Sequence, residues 1–106
     1  MIKILIMCMQ GMSTAVMEQK IIQSAKDKGI ELSINAIAVN QFKGYQGNDI
    51  VVLGPQVKYA EKDIRKKLDA TEEGKKIPLY VIEPQDFGMM RGETVLTKIL
   101  KVLDYE

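Results

Sequence analysis

The sequence predicts an α/β protein: an open four-stranded parallel sheet with helices on both faces, a three-layer arrangement. Three observations carry this. Short β-branched runs alternate with amphipathic helical stretches along the chain with no break in composition. Two of the strand-like runs, Ile2–Met7 and Asp49–Leu53, are predominantly apolar, the mark of strands covered on both faces. Parallel strands require crossover connections, and the intervening segments are long enough to supply them.

Ile2–Met7 is such an apolar run and opens the chain as the first strand. A short loop follows, from Met9 to Thr14, with one glycine at Gly11. From about Ser13 to Lys28, Met17, Ile21, Ile22 and Ala25 recur at helical spacing. Ser13 or Thr14 can cap this helix, and Gly29 can end it in the left-handed conformation. Ile30–Val39 alternates in part and reads as a half-exposed strand at an edge. Asn40–Asn48, with Gly44 and Gly47, is a connection that either stays irregular or supplies a short crossover helix. Asp49–Leu53 is a buried strand stopped by Gly54-Pro55. A helix is expected over about Lys58–Leu68, with Ala60, Ile64 and Leu68 on one face, then a polar turn over Asp69–Lys76. Leu79–Ile82 is the fourth strand, and the last helix runs from about Thr94 to Leu103.

Composition removes several function classes. The 15 Lys+Arg against 14 Asp+Glu leave a formal net charge of +1, without the basic excess of a dedicated nucleic-acid binder. There is no histidine, which eliminates Ser-His-Asp and Cys-His catalysis and His-ligated metal sites. One cysteine rules out an intrachain disulfide and a Cys-rich zinc site, and fits a reducing compartment. The apolar N-terminal run ending at Cys8 resembles a lipoprotein signal, but it is shorter than a signal core and bulky Met7 stands where a small residue is expected. The mature chain is therefore expected to start at or near Met1.

The chemistry concentrates at Cys8, the last residue of the first strand or the first of its loop. In open parallel sheets, ligands bind beyond the carboxyl ends of the strands. There the thiol faces the start of a helix, whose unpaired N–H groups and positive dipole end favour a thiolate and can cradle a phosphate. Gly11 lets the backbone fold closely around an anion, and Ser13 and Thr14 add hydroxyl donors. The alternative is a small buried hydrophobe at a strand end.

The segment Cys8-Met9-Gln10-Gly11-Met12-Ser13-Thr14 resembles the active-site loop of the lactose/cellobiose-type enzyme IIB of the bacterial sugar phosphotransferase system, and Asp49-Ile50-Val51-Val52-Leu53-Gly54-Pro55-Gln56-Val57 resembles its third strand and Gly-Pro-Gln turn. The resemblance spans essentially the whole chain and implies a single IIB domain over residues 1–106 with strand order 2-1-3-4. It implies a cytoplasmic phosphocarrier, at the inner face of the membrane only while it meets the permease. Cys8 would take a phosphoryl group from a histidine of an enzyme IIA partner. It would pass the group to a sugar, on the family's pattern a β-linked disaccharide, bound by the enzyme IIC permease. Met9, Gln10, Gly11, Met12, Ser13 and Thr14 would form the phosphate-binding loop, and Gly54, Pro55 and Gln56 would border the site. No cofactor and no metal are implied. One departure is Arg91, where the family commonly has an acidic residue before the glycine matching Gly92. It either borders the site, favouring the phosphorylated state or an acidic partner surface, or is a solvated residue at a helix entrance.

Two other readings are open. Low-molecular-weight tyrosine phosphatases also carry a cysteine loop after a first parallel strand, but with an arginine five residues further on, where this chain has Thr14. A regulatory module with Cys8 merely packed is the third. The basic stretch Lys62-Asp63-Ile64-Arg65-Lys66-Lys67 reads either as an electrostatic dock or as a solvated helix face. Met9 and Met12 suit a partner-binding rim, and Met7 and Met17 suit either that rim or the core.

Overall fold

The computed structural model describes residues 1–8 and 13–104, and for Ser13 and Thr14 the backbone only. Four strands, β1 (Ile2–Cys8), β2 (Leu32–Ala38), β3 (Ile50–Leu53) and β4 (Leu79–Val81), form one sheet in the order β2-β1-β3-β4. Every neighbouring pair is parallel, with Ile4 opposite both Ile34 and Ile50, and Val52 opposite Tyr80. This is the predicted architecture. Because all strands point the same way, Cys8, Ala38, Leu53 and Val81 end on one edge.

The period of two along β1 divides the core. Ile2, Ile4 and Ile6 join Ile50 and Val52 under two helices, α1 (Ser13–Asp27) and α5 (Gly92–Val102), through Met17, Ile21, Ala25, Val95, Leu96 and Ile99. Leu5 and Met7 join Val51 and Leu53 on the opposite face, under Ile64 and Leu68 of α2 (Glu61–Leu68). Met7 and Met17 are thus core residues. Gly29 ends the α1 segment at φ +70°, as the sequence predicts, and Ile30 N–H returns to the Ala25 carbonyl at 2.9 Å.

The crossover from β2 to β3 contains only one 3-10 turn, Val39–Gln41, rather than a helix. Phe42, 2% exposed, fills the place a helix would cover. The strand then starts under a reciprocal clasp: Lys3 N–H donates to Asp49 Oδ2 and Asp49 N–H to the Lys3 carbonyl, both at 2.8 Å. The expected helix after β3 is preceded by 3-10 turns over Pro55–Ala60, with a kink at buried Val57, and becomes α-helical only at Glu61.

Two short helices were absent from the sequence reading. The expected polar turn over Asp69–Lys76 contains α3 (Glu72–Lys75), capped by Thr71, whose hydroxyl accepts from Gly74 N–H at 2.9 Å. α4 (Pro84–Gly88) follows β4, with Pro84 in its first turn. Single turns have too few residues to show a helical period. α5 also begins two residues earlier than predicted.

The basic stretch on α2 is partly internal. Arg65 donates to the carbonyls of Ile77 at 2.7 Å and Gly74 at 2.9 Å and pairs with Asp69. Lys67 reaches the Phe42 carbonyl at 3.3 Å and pairs with Asp63. These two side chains satisfy carbonyls of the chain segments packed around α2, while Lys62 and Lys66 remain exposed.

Candidate active site at the carboxyl edge

Cys8 is the last residue of β1, level with Ala38 of β2 and 8% exposed. By strand alternation it continues the Ile4–Ile6 face, the one covered by α1. α1 begins at Ser13, five residues on, so a helix start follows the strand end as predicted. Residues 9–12 of the predicted phosphate loop (Met9, Gln10, Gly11, Met12) lie outside the described residues, as do the side chains of Ser13 and Thr14.

β3 ends one register step from Cys8, and its successor Gly54 extends the ladder by donating to the Met7 carbonyl at 2.9 Å. A Cβ built on Gly54 would lie 3.4 Å from Cys8 Cβ and 2.9 Å from Gln56 Oε1. Of the predicted border, Gly54 therefore lies against Cys8, and Gln56 folds back over Gly54. Pro55 begins the 3-10 turn that makes this reversal, closed by Val57 N–H to the Gly54 carbonyl at 3.1 Å.

Arg91 stands at the entrance of α5, exposed. Its guanidinium lies 3.7 Å from Asp86 Oδ1 and 3.0 Å from Met89 Sδ. It lines a cleft with Lys20, Gln23, Ser24 and Asp27 of α1. Lys20 is seven residues into α1, roughly 10 Å along its axis from Ser13. Arg91 thus has its partners on α4 and lines a cleft beside the middle of α1.

Sequence reasoning missed the acid that holds Arg91. Asp86 is 3% exposed and accepts from Lys98 Nζ at 2.6 Å, while Lys98 also reaches Glu83 at 3.1 Å. Hydrogen bonding to Asp86, and then to Glu83, pushes the Lys98 pKa above its ordinary value. Burial pushes the Tyr80 phenol up, and its hydroxyl has no hydrogen-bond partner among the described residues. Only the position of Asp86 just after Glu83-Pro84 and the lysine on the following helix hint at this clamp in the sequence. Among the described residues, no three acidic or cysteine side chains gather as a metal site, and no helix is long and apolar enough to cross a membrane.

A parallel sheet with one thiol at the carboxyl end of a central strand, beside a glycine gap and before a helix start, defines an open α/β protein whose thiol lies at the edge where such sheets bind ligands. A sequence profile of the phosphotransferase-system lactose/cellobiose-specific IIB subunit matches residues 3–98. The chain is 34% identical over 95 residues to the cellobiose-specific EIIB component of the phosphotransferase system of Lactococcus lactis subsp. lactis, and 33% identical over 95 residues to the galactose-specific EIIB component of Lactococcus lactis subsp. cremoris, each match covering 84% of both chains. The solution structure of a cellobiose-specific phosphotransferase IIB component from Borrelia burgdorferi superposes with a TM-score of 0.69 at 33% identity, over 97% of this chain and 92% of that one. The chain belongs to the lactose/cellobiose-specific IIB family of the sugar phosphotransferase system.

Proposed function

We propose that this protein is a phosphocarrier in which Cys8 takes a phosphoryl group from a phosphohistidine of an enzyme IIA and delivers it to a sugar held by an enzyme IIC permease. Family membership supports a phosphotransferase-system role, and an IIB component works in general between IIA and IIC partners. The observation that carries the reading is Cys8 at the end of β1, next to Gly54 and ahead of α1. In the first step the Cys8 thiolate attacks phosphorus, the S–P bond forms, and the N–P bond breaks with its electron pair returning to the donor imidazole. In the second a sugar hydroxyl oxygen attacks phosphorus, loses its proton, and the thiolate leaves. Met9 to Thr14 form the phosphate cradle on this reading, with backbone N–H groups and the hydroxyls of Ser13 and Thr14 as donors. The work is cytoplasmic, with the membrane met only through the permease. The sugar is a β-linked disaccharide, in keeping with the name of the cellobiose-specific relative.

Thr14 stands where a phosphatase loop carries arginine, and there is no histidine to activate water. Losing a well-placed charged donor of that kind typically costs about 10²–10³ in rate. Phospho-Cys8 therefore survives to meet its acceptor. The test is phosphorylation by a phosphorylated enzyme IIA, followed by mass. Wild type gains one phosphoryl group and keeps it after the donor is removed, and Cys8→Ser folds normally but gains none. Labelling of Cys8→Ser at the wild-type level defeats the proposal, and hydrolysis as fast as transfer points to the phosphatase-like alternative.

A further inference from the structure

Gly54 is a glycine for reasons of space. Its backbone, φ −67° and ψ 154°, is an extended conformation open to any residue, and the one favoured before proline. What a side chain there would meet is Cys8 Cβ, at 3.4 Å, and the Gln56 carboxamide oxygen, at 2.9 Å. Both groups thus border the space of a single missing methyl group. Gln56 is itself exposed, so burial does not dictate its direction. The 3-10 turn begun by Pro55 returns it toward the strand end instead of letting it run into solvent.

We propose that Gln56 is a phosphoryl-binding residue of the Cys8 site, its carboxamide N–H donating to a phosphoryl oxygen on Cys8 through the gap that Gly54 leaves. This rests on the phosphocarrier reading above and adds a residue to it. A half-turn of the terminal amide exchanges Oε1 for Nε2, so the same side-chain position presents two donors. The sequence has no Lys or Arg between Cys8 and Lys20. A neutral donor suits that setting: it steadies the dianion when the S–P bond forms and releases it without the hold of a charged fork. No bond to Gln56 forms or breaks in either transfer.

The experiment compares wild type, Gln56→Ala and Gln56→Glu at equilibrium with a phosphorylated enzyme IIA. It reads the ratio of phospho-Cys8 to free thiol by mass, the ³¹P resonance of the phosphocysteine, and the melting temperature. Removing one hydrogen bond to a charged group lowers the ratio by about ten- to a hundredfold in Gln56→Ala. Gln56→Glu keeps the shape, replaces the donor by a negative charge, and lowers the ratio further. Both variants melt with wild type, and both shift the ³¹P resonance. Wild-type ratios and an unmoved resonance in both variants overturn the inference and leave the phosphocarrier reading standing. Wild-type protein that accepts no phosphoryl group overturns both.

Discussion

At the end of β3 and at the start of α5 the chain places a glycine where a methyl group has no room, and the two obstructions differ in kind. A Cβ on Gly92 would stand 2.5 Å from Lys20 Cβ, 2.7 Å from Lys20 C and 2.9 Å from the Lys20 oxygen. Two of these are backbone atoms of α1 and the third is fixed to it, so Gly92 is what lets the two helices of the Ile4–Val52 face approach. At Gly54 the tightest neighbour is the tip of a flexible side chain, Gln56, and the other is the site cysteine at ordinary contact distance. The first glycine is a packing device, whereas the second keeps a lane clear at the edge where the chemistry is proposed. Close approach alone therefore does not identify a functional glycine, and the obstructing atoms have to be named.

Gly92→Ala is expected to have the largest effect on stability. Helices α1 and α5 must separate or tilt, and overpacking of this kind costs about 1–3 kcal/mol. In a domain of this size that lowers the melting temperature by roughly 5–20 °C. Phosphoryl uptake measured well below the transition stays at the wild-type level. A melt that superposes on wild type would show that the helices have slack at Lys20.

Gly54→Ala sharpens the contrast by going the other way. The extended backbone suits alanine, and replacing glycine there stabilises by about 0.4–1 kcal/mol through the unfolded chain, once Gln56 swings aside. The melting temperature holds or rises by a few degrees. The phospho-Cys8 ratio falls in the same direction as in Gln56→Ala, by about tenfold. A loss of melting temperature as large as that of Gly92→Ala would make the two glycines equivalent.

The smallest effect separates α5 packing from α5 charge. Asp86, and then Glu83, raise the Lys98 pKa above 10.5. A raised lysine adds stability that is complete below the unfolded value and disappears as pH climbs through the folded one. Lys98→Met is thus expected to melt below wild type from neutral pH to about 10. The two curves converge above 10.5, where wild type also loses its charge. A constant gap across that range would assign the loss to packing of the lysine stem instead.

Much of the fold was legible because long elements advertise their environment. β1, apart from exposed Lys3, and β3 are apolar and buried on both faces, while β2 alternates in part and is an edge. Met17, Ile21 and Ala25 mark the buried stripe of α1, and Gly29 marks where it ends. The covering of the β2–β3 crossover was not legible: a lone Phe42 inside a polar, glycine-bearing stretch has no period to read, and only the neighbouring α2 makes it core. The same holds for α3 and α4, each a single turn.

By itself, then, the sequence determined four parallel strands with helices between them, a thiol at the carboxyl end of the first strand, and the Gly-Pro-Gln turn that ends the third, whereas the order 2-1-3-4 is seen in the tertiary structure. The sequence features are local facts: periodicity, punctuation by glycine and proline, and one thiol at a boundary. Tertiary structure decided which of the flagged residues meet. It brought Gly54 to Cys8 and folded Gln56 back over Gly54, turned Arg91 to Asp86, used Arg65 and Lys67 to tie down carbonyls of neighbouring segments, and pressed Gly92 against Lys20. Each of these contacts except the fold-back of Gln56 joins elements that are separate in the chain. Such pairings follow from how helices settle on an open sheet, where distance and angle between elements choose the partner, and no run of neighbouring residues encodes that choice.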